Sequence, residues 1–253
     1  MYSKIAVVIP SRNINNLTHC VASVLLCEPN IDVLVVDDGL EHWPQTFHLN
    51  GIRRVEGVKP FIYARNCNEG MMAAQIDQDI ILLNDDALLE THKGFSKMRQ
   101  EWLDNQEYGI IGASMDKSGQ PEQLRRGLAG LRPVKWMLVF ACVFIPRLTI
   151  ERIGFLDERF SVNAGGKGPR GYGCEDDDYS WRVRSAGLKL GVSDSCFVNH
   201  STLPSTFRDD PEHKADVSLH EAVFMRKWGV HPHDWKRPYV ERPQPKEVIW
   251  PVR

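Results

Sequence analysis

A chain of 253 residues can bury one sizeable core, and its 42% hydrophobic and 25% charged content excludes disordered and fibrous classes. A formal net charge of −2 gives no general reason to bind nucleic acid or an anionic membrane, which leaves only local basic patches for that purpose. Six scattered cysteines without a C-x-x-C pair argue against a structural zinc knot.

The longest apolar run, 136–145, is about half the ~20 residues a membrane span needs, so it reads as a buried strand and no integral membrane segment is expected. The run at 5–10 is too short for a secretory leader and lacks a small-residue cleavage site. The expectation is a soluble, cytoplasmic protein with reduced thiols, able at most to dock on a membrane surface.

In chain order, residues 4–9 form a β-branched run closed by Pro10, the pattern of a strand buried on both faces. Between 15 and 26, Leu17, Val21, Val24 and Leu25 fall on one helical face. Residues 32–36 read as a second buried strand ending at Asp37-Asp38-Gly39, and 51–55 as a short third. A helix follows over 62–74, then a buried strand over 79–83 ending at Asn84-Asp85-Asp86. Strands alternating with helices imply a mostly parallel sheet covered on both faces. Ligands of such sheets lie at the carboxyl ends of the strands. Ser11-Arg12-Asn13, Asp37-Asp38 and Asn84-Asp85-Asp86 all fall there, so three separate stretches aim polar groups at one rim.

The second half is less regular. The pattern predicts a helix over 93–103 and strands over 109–114 and 135–145. A glycine-rich loop follows at 163–173, then a helix over 177–186 with Gly187 as its C-cap, and a helix over 216–228. From Pro232 onward proline is frequent and no period is evident.

Adjacent carboxylates at a strand end repel each other unless a cation or strong donors compensate them. Asp85 and Asp86 are hard oxygen ligands of the kind Mg2+ or Mn2+ takes together with phosphate oxygens; a turn or helix cap uses the same residues. Asp37-Asp38-Gly39 carries two readings as well, a turn signal or a carboxylate that accepts from a base N–H or a ribose hydroxyl. Glu175-Asp-Asp-Asp178 is the densest acidic run. It suits a helix start, and a carboxylate there, after glycines that permit close ligand approach, could serve as general base toward a hydroxyl.

His200 is structural unless the fold brings it to the acidic pair, where an imidazole favours Mn2+ over Mg2+. Arg65-Asn66, near the start of the second crossover helix, could reach the nucleotide or a phosphate, or Arg65 could simply face solvent. No G-x-G-x-x-G follows the first strand, which disfavours a dinucleotide dehydrogenase. The phosphate-loop signature and the serine nucleophile elbow are also missing.

Together these stretches resemble glycosyltransferase family 2 and its relatives with the GT-A fold. Val7-Val-Ile-Pro-Ser-Arg-Asn13 is similar to that family's opening strand, and Val35-Val-Asp-Asp-Gly39 to its nucleotide-binding strand end. Ala64-Arg-Asn66 is similar to its "aRN" segment, and Leu82-Leu-Asn-Asp-Asp86 stands in the place of its metal-binding D-x-D. Gly154-Phe-Leu-Asp-Glu-Arg-Phe160 followed by Glu175-Asp-Asp-Asp-Tyr-Ser-Trp-Arg182 resembles its "G-x-F-D-E-x-F … E-D-x-D" block, and Phe224-Met-Arg-Lys-Trp-Gly229 its late "F-x-x-K-W-G" segment. The likeness runs over 5–229, in the family's order and spacing.

The resemblance implies an α/β GT-A (Rossmann-like) fold, a mostly parallel central sheet flanked by helices with a less regular acceptor-binding half. One catalytic domain would span 1–230, with 1–115 as its nucleotide-sugar half and 116–230 as its acceptor half. An extended tail would occupy 231–253. The implied activity is inverting, metal-dependent transfer from a nucleotide-diphosphate sugar, uridine diphosphate by family habit, to a hydroxyl of a glycan, lipid carrier or modified nucleic acid.

It further implies Asp37 at the donor's base or ribose, with Pro10, Ser11, Arg12, Asp38, Arg65, Asn84 and Asp85 around the nucleotide sugar. Asp86 and His200 would be ligands of Mn2+ or Mg2+, and Asp176 the catalytic base with Glu175 as the alternative. Trp136, Lys167, Arg170 and Tyr172 would face the acceptor. The D-x-D begins with Asn84, so one carboxylate ligand is lost or reached through water.

Two rivals stand beside this reading. A sugar-phosphate nucleotidyltransferase should carry a glycine-rich basic loop after the first strand, where Ser11-Arg-Asn13 has no glycine. A non-catalytic nucleotide-sugar or glycan-binding module would bind donor without releasing nucleoside diphosphate.

Overall fold

The computed structural model describes residues 3–59, 62–161, 173–205 and 211–232. Its first four strands, β1 (Ile5–Ser11), β2 (Asp32–Asp37), β3 (Arg53–Glu56) and β4 (Asp79–Leu83), are mutually parallel. Helices α1 (Ile14–Cys27), α2 (Gln45–Leu49) and α3 (Tyr63–Ala73) connect them. Every residue of β1 and β4 is buried, which is why both read as continuous apolar runs. Asn13 caps α1 by accepting from the N–H groups of Asn15 and Asn16 at 3.1 and 3.2 Å. Gly70 lets α3 lie directly on the sheet: a Cβ there would fall 2.2 Å from Cγ1 of Val8.

The remainder contributes β5 (Leu88–Leu89), α4 (Gly94–Asp104), β6 (Tyr108–Met115), β7 (Leu131–Val134), β8 (Cys142–Ile145), α5 (Arg147–Ile153), α6 (Glu175–Ser185), β9 (Lys189–Asn199) and α7 (Pro211–Trp228). The nine strands among the described residues join one sheet in the order β3-β2-β1-β4-β8-β6-β9-β5, with β7 paired to β9. β1, β2, β3, β4, β6 and β9 point one way, and β5, β7 and β8 the other, so the sheet is mostly parallel in direction. One face packs against Leu17, Val21 and Val24 of α1 and Phe95 and Met98 of α4. The other packs against Cys67 and Met71 of α3, Ile150 of α5 and Tyr179 and Val183 of α6. All six cysteines are buried and unbridged. Among the described residues, no helix is long and apolar enough to cross a membrane.

The second half departs from the sequence reading. The strand expected over 135–145 is confined to Cys142–Ile145. Ahead of it the chain runs beside α6 and bonds to side chains instead of a neighbouring strand: Leu138 N–H to Ser180 Oγ at 3.1 Å, and Val139 N–H to Gln123 Oε1 at 2.6 Å. The apolar content there reflects burial of Leu138 and Phe140, without a ladder. No strand is read over 189–199, yet β9 is eleven residues long. Its Ser193-Asp194-Ser195 interrupts the apolar run because Asp194 is buried against Arg132 at 2.6 Å. The last helix begins at Pro211, five residues before the expected start at 216. The loop residues Lys167, Arg170 and Tyr172, and most of the 231–253 tail, lie outside the described residues.

Candidate active site

Because β6 and β9 share the direction of β1–β4, their carboxyl ends continue the rim that the first half begins. Asp37 ends β2. One of its oxygens accepts from the N–H groups of Gly39 and Leu40 at 2.7 Å each, in a turn that the left-handed backbone of Gly39 permits. Its other oxygen is forked by Arg54, with Nε at 2.8 Å. Burial pushes the carboxyl up, but these donors outweigh it and hold Asp37 below the usual range. Both oxygens are therefore engaged. Asp38 differs: burial raises it to about 6 against the pull of the Asn66 amide, 3.4 Å away, and the charges of Arg12 and Lys59. Of the two, Asp38 has the acceptor capacity left for a ligand.

Beyond β4, Asp85 accepts from the Ser11 hydroxyl at 2.6 Å. Its carboxyl is pushed up to about 7, chiefly by burial, with Ser11 opposing and Asp86 adding to the rise. Asp86 and His200 meet at 3.3 Å between Oδ1 and Nε2, and both are buried. His200 follows β9, and its backbone N–H is held by Asp116 Oδ1 at 2.7 Å. Its Nδ1 lies 3.3 Å from the Lys117 carbonyl. With Nδ1 turned to that carbonyl, Nε2 is the ring nitrogen that faces Asp86, the orientation a metal-binding imidazole takes.

Two ligands each about 2.1 Å from a small divalent cation, at right angles, stand about 3 Å apart, so the Asp86–His200 spacing fits such an ion. Among the described residues no group of three or more His, Cys, Asp or Glu side chains assembles around a metal position. The remaining positions would fall to water and substrate phosphates. Asn84 is engaged elsewhere: its Oδ1 lies 3.3 Å from the Tyr63 hydroxyl, which is also 3.1 Å from the Phe140 carbonyl.

Tyr63 leads to the third acidic cluster. The charges of Glu175 and Asp176, at the head of α6, both act on its hydroxyl, which burial already makes hard to ionise. Asp176 is half-buried. Burial lifts it to about 6, although the N–H groups of Asp177 (2.9 Å) and Phe140 donate to it. Glu175 is buried more deeply. One oxygen accepts from Gly173 N–H, and the other finds no partner among the described residues. Burial, with the charge of Asp176 beside it, raises Glu175 to about 8. Asp178 is fully buried and bonded to Arg182, Trp228 and Lys227, so this member of the run is structural.

The fold thus gathers Ser11, Asp38, Asp85, Asp86 and His200 on one rim, and Tyr63 joins Asn84 to the neighbourhood of Glu175 and Asp176. Arg12 is exposed there, close enough to Asp38 and Asp85 to act on both. Pro10 is buried in β1 beside Val36. Arg65 is bonded to Glu158 at 2.9 Å, with Asn68 on the other oxygen of that carboxylate. The Trp136 ring lies under the Arg184 guanidinium at 5.6 Å. Arg184 is eight residues past Asp176, about 12 Å along α6, so Trp136 is not brought beside it.

Sequence reasoning missed Arg54, Lys59, Tyr63 and Asp116. Asp116 stands directly after β6, where the strand-end rule finds it once that strand's direction is known.

No family profile and no curated protein matches this sequence. The fold, however, has relatives among solved structures. The crystal structure of GalNAc-T7 with UDP, GalNAc and Mn2+ superposes with a TM-score of 0.68 at 13% identity, covering 91% of this chain and 49% of that one. Residues 1–349 of S. aureus TarS superpose with a TM-score of 0.57 at 11% identity, covering 77% of this chain and 60% of that one. The chain therefore spans about half the length of the first structure and three fifths of the second. Both are GT-A-fold glycosyltransferases, and this chain has the GT-A fold.

Proposed function

We propose that this chain is a glycosyltransferase that moves a sugar from a nucleotide diphosphate onto an acceptor hydroxyl with inversion, taking uridine diphosphate as carrier. The observation that carries the reading is the convergence on one rim of a buried Asp86–His200 pair and an acidic helix head, joined through Tyr63 and Asn84. The UDP and Mn2+ in the GalNAc-T7 structure support the choice of carrier and cation.

Asp86 and His200 would hold the divalent cation, which when bound neutralises charge on the diphosphate leaving group. Asp38 accepts from the nucleoside, and Arg12 and Lys59 stand beside it as cations for the phosphates. Asp176, at about 6, is ionised at neutral pH yet basic enough to take the acceptor's proton. Glu175, raised further by burial and by the charge of Asp176 beside it, holds its proton the more firmly of the two, which supports Asp176 as the base. Direct attack assisted by one base gives inversion.

The test is a panel of nucleotide sugars incubated with and without Mn2+. Release of nucleoside diphosphate is expected, slow with water and faster with a true acceptor. Asp86→Ala should abolish both that release and the Mn2+-dependent rise in melting temperature with UDP, a stabilisation of about 2.7 kcal/mol at a hundredfold excess over Kd. Pyrophosphate as product would instead identify a nucleotidyltransferase, and binding without any release would identify a binding module.

A further inference from the structure

The head of α6 is poorly held by its own sequence. Four successive carboxylates repel one another in its first turn, and no side chain caps it. Its N-cap, Cys174, is a non-glycine residue at φ +63°, a conformation that persists only when the surroundings enforce it.

The surroundings are α7. Lys227 Nζ lies 2.7 Å from the carboxylates of both Asp157 and Asp178, which are almost entirely buried. Trp228 Nε1–H donates to Asp178 at 2.8 Å, and Arg182 holds the other oxygen of Asp178 at 2.9 Å. Phe224 and Trp228 pack on Trp181, with ring centroids 5.8 and 5.7 Å away. His220 sits so close to Gly173 that a Cβ there would fall 2.5 Å from its Nδ1. The grip runs from Gly173 to Trp181 and straddles Glu175 and Asp176. Asp178 is two residues past Asp176, about 3 Å along the helix axis.

We propose that Lys227, assisted by Trp228, is a positioning residue for the transfer reaction: by holding Asp178 against Asp157 it fixes where the Asp176 carboxylate stands. The inference rests on Asp176 being the base, as argued above. A misplacement of about 1 Å can lower turnover on the order of 100-fold while leaving remote binding contacts intact. Nucleoside diphosphate release is therefore compared for wild type, Lys227→Met, Lys227→Arg, Trp228→Phe and Asp176→Asn. Lys227→Met should lose about 10- to 100-fold in kcat with the donor KM within about twofold of wild type, and Lys227→Arg should recover most of that loss. Trp228→Phe, which keeps the ring packing, should show a smaller loss confined to kcat, and it decides the matter if Lys227→Met does not fold.

Wild-type kcat in Lys227→Met or Trp228→Phe, beside an inactive Asp176→Asn, would overturn the positioning role alone. So would a loss in Lys227→Met shared between kcat and KM and not recovered by arginine. A fully active Asp176→Asn would overturn the assignment of the base.

Discussion

At the end of β2 Asp37 meets donors enough to outweigh burial: Gly39 and Leu40 from its own turn and Arg54 from β3. At the head of α6 the carboxylates mostly meet one another, and burial drives Glu175, Asp176 and Asp177 upward. One residue chemistry thus yields two kinds of site. Where donors outnumber the burial cost, a carboxylate stays ionised and serves as a fixed charge or ligand. Where they do not, it becomes a group that trades protons near neutral pH.

Three experiments can break or sharpen that contrast. The largest effect is expected from Asp176→Asn, which should lower kcat about 10²- to 10⁴-fold with unchanged donor binding. Near-normal turnover would remove proton transfer from the α6 cluster.

Next is the pH profile. The base works only when ionised, so kcat should rise through about pH 6 and fall roughly tenfold per unit below it, following Asp176. An acid limb near 4 would mean that this carboxylate is as well solvated as an ordinary one.

Smallest is Glu175→Gln. The folded chain keeps the Glu175 proton up to about 8, against an ordinary value of 4.5, so between these pH values folding takes up a proton and wild-type stability declines as pH rises. Glutamine removes that slope. The melting temperature of the variant relative to wild type should therefore increase from pH 5 to pH 8, with most of the turnover at pH 7 retained.

The same contrast explains what was legible in the sequence. β1, β2 and β4 could be read because burial on both faces writes them as apolar runs, and the strand-end rule then located Asp37, Asp38, Asp85 and Asp86. Which member of a pair is free could not be read, since Arg54 reaches Asp37 from 17 positions away. β9 was hidden by Asp194, whose burial depends on Arg132 from another strand. Arg65 and Trp136 show a further limit. Residue type suggests what a side chain can bind, but their aim toward Glu158 and Arg184 is decided by tertiary packing. Lys227, Asp157 and Asp178 were each visible inside a motif, yet the pairing of the first with the other two was not.

The six enclosed cysteines carry a practical corollary. Burial raises the proton affinity of each thiol, and alkylating reagents attack the thiolate. The native chain is therefore a quiet background for maleimide chemistry. A single cysteine introduced at an exposed position such as Leu26 or Ile76 would take a fluorophore selectively, and the sudden reactivity of the other six would time the moment the fold opens.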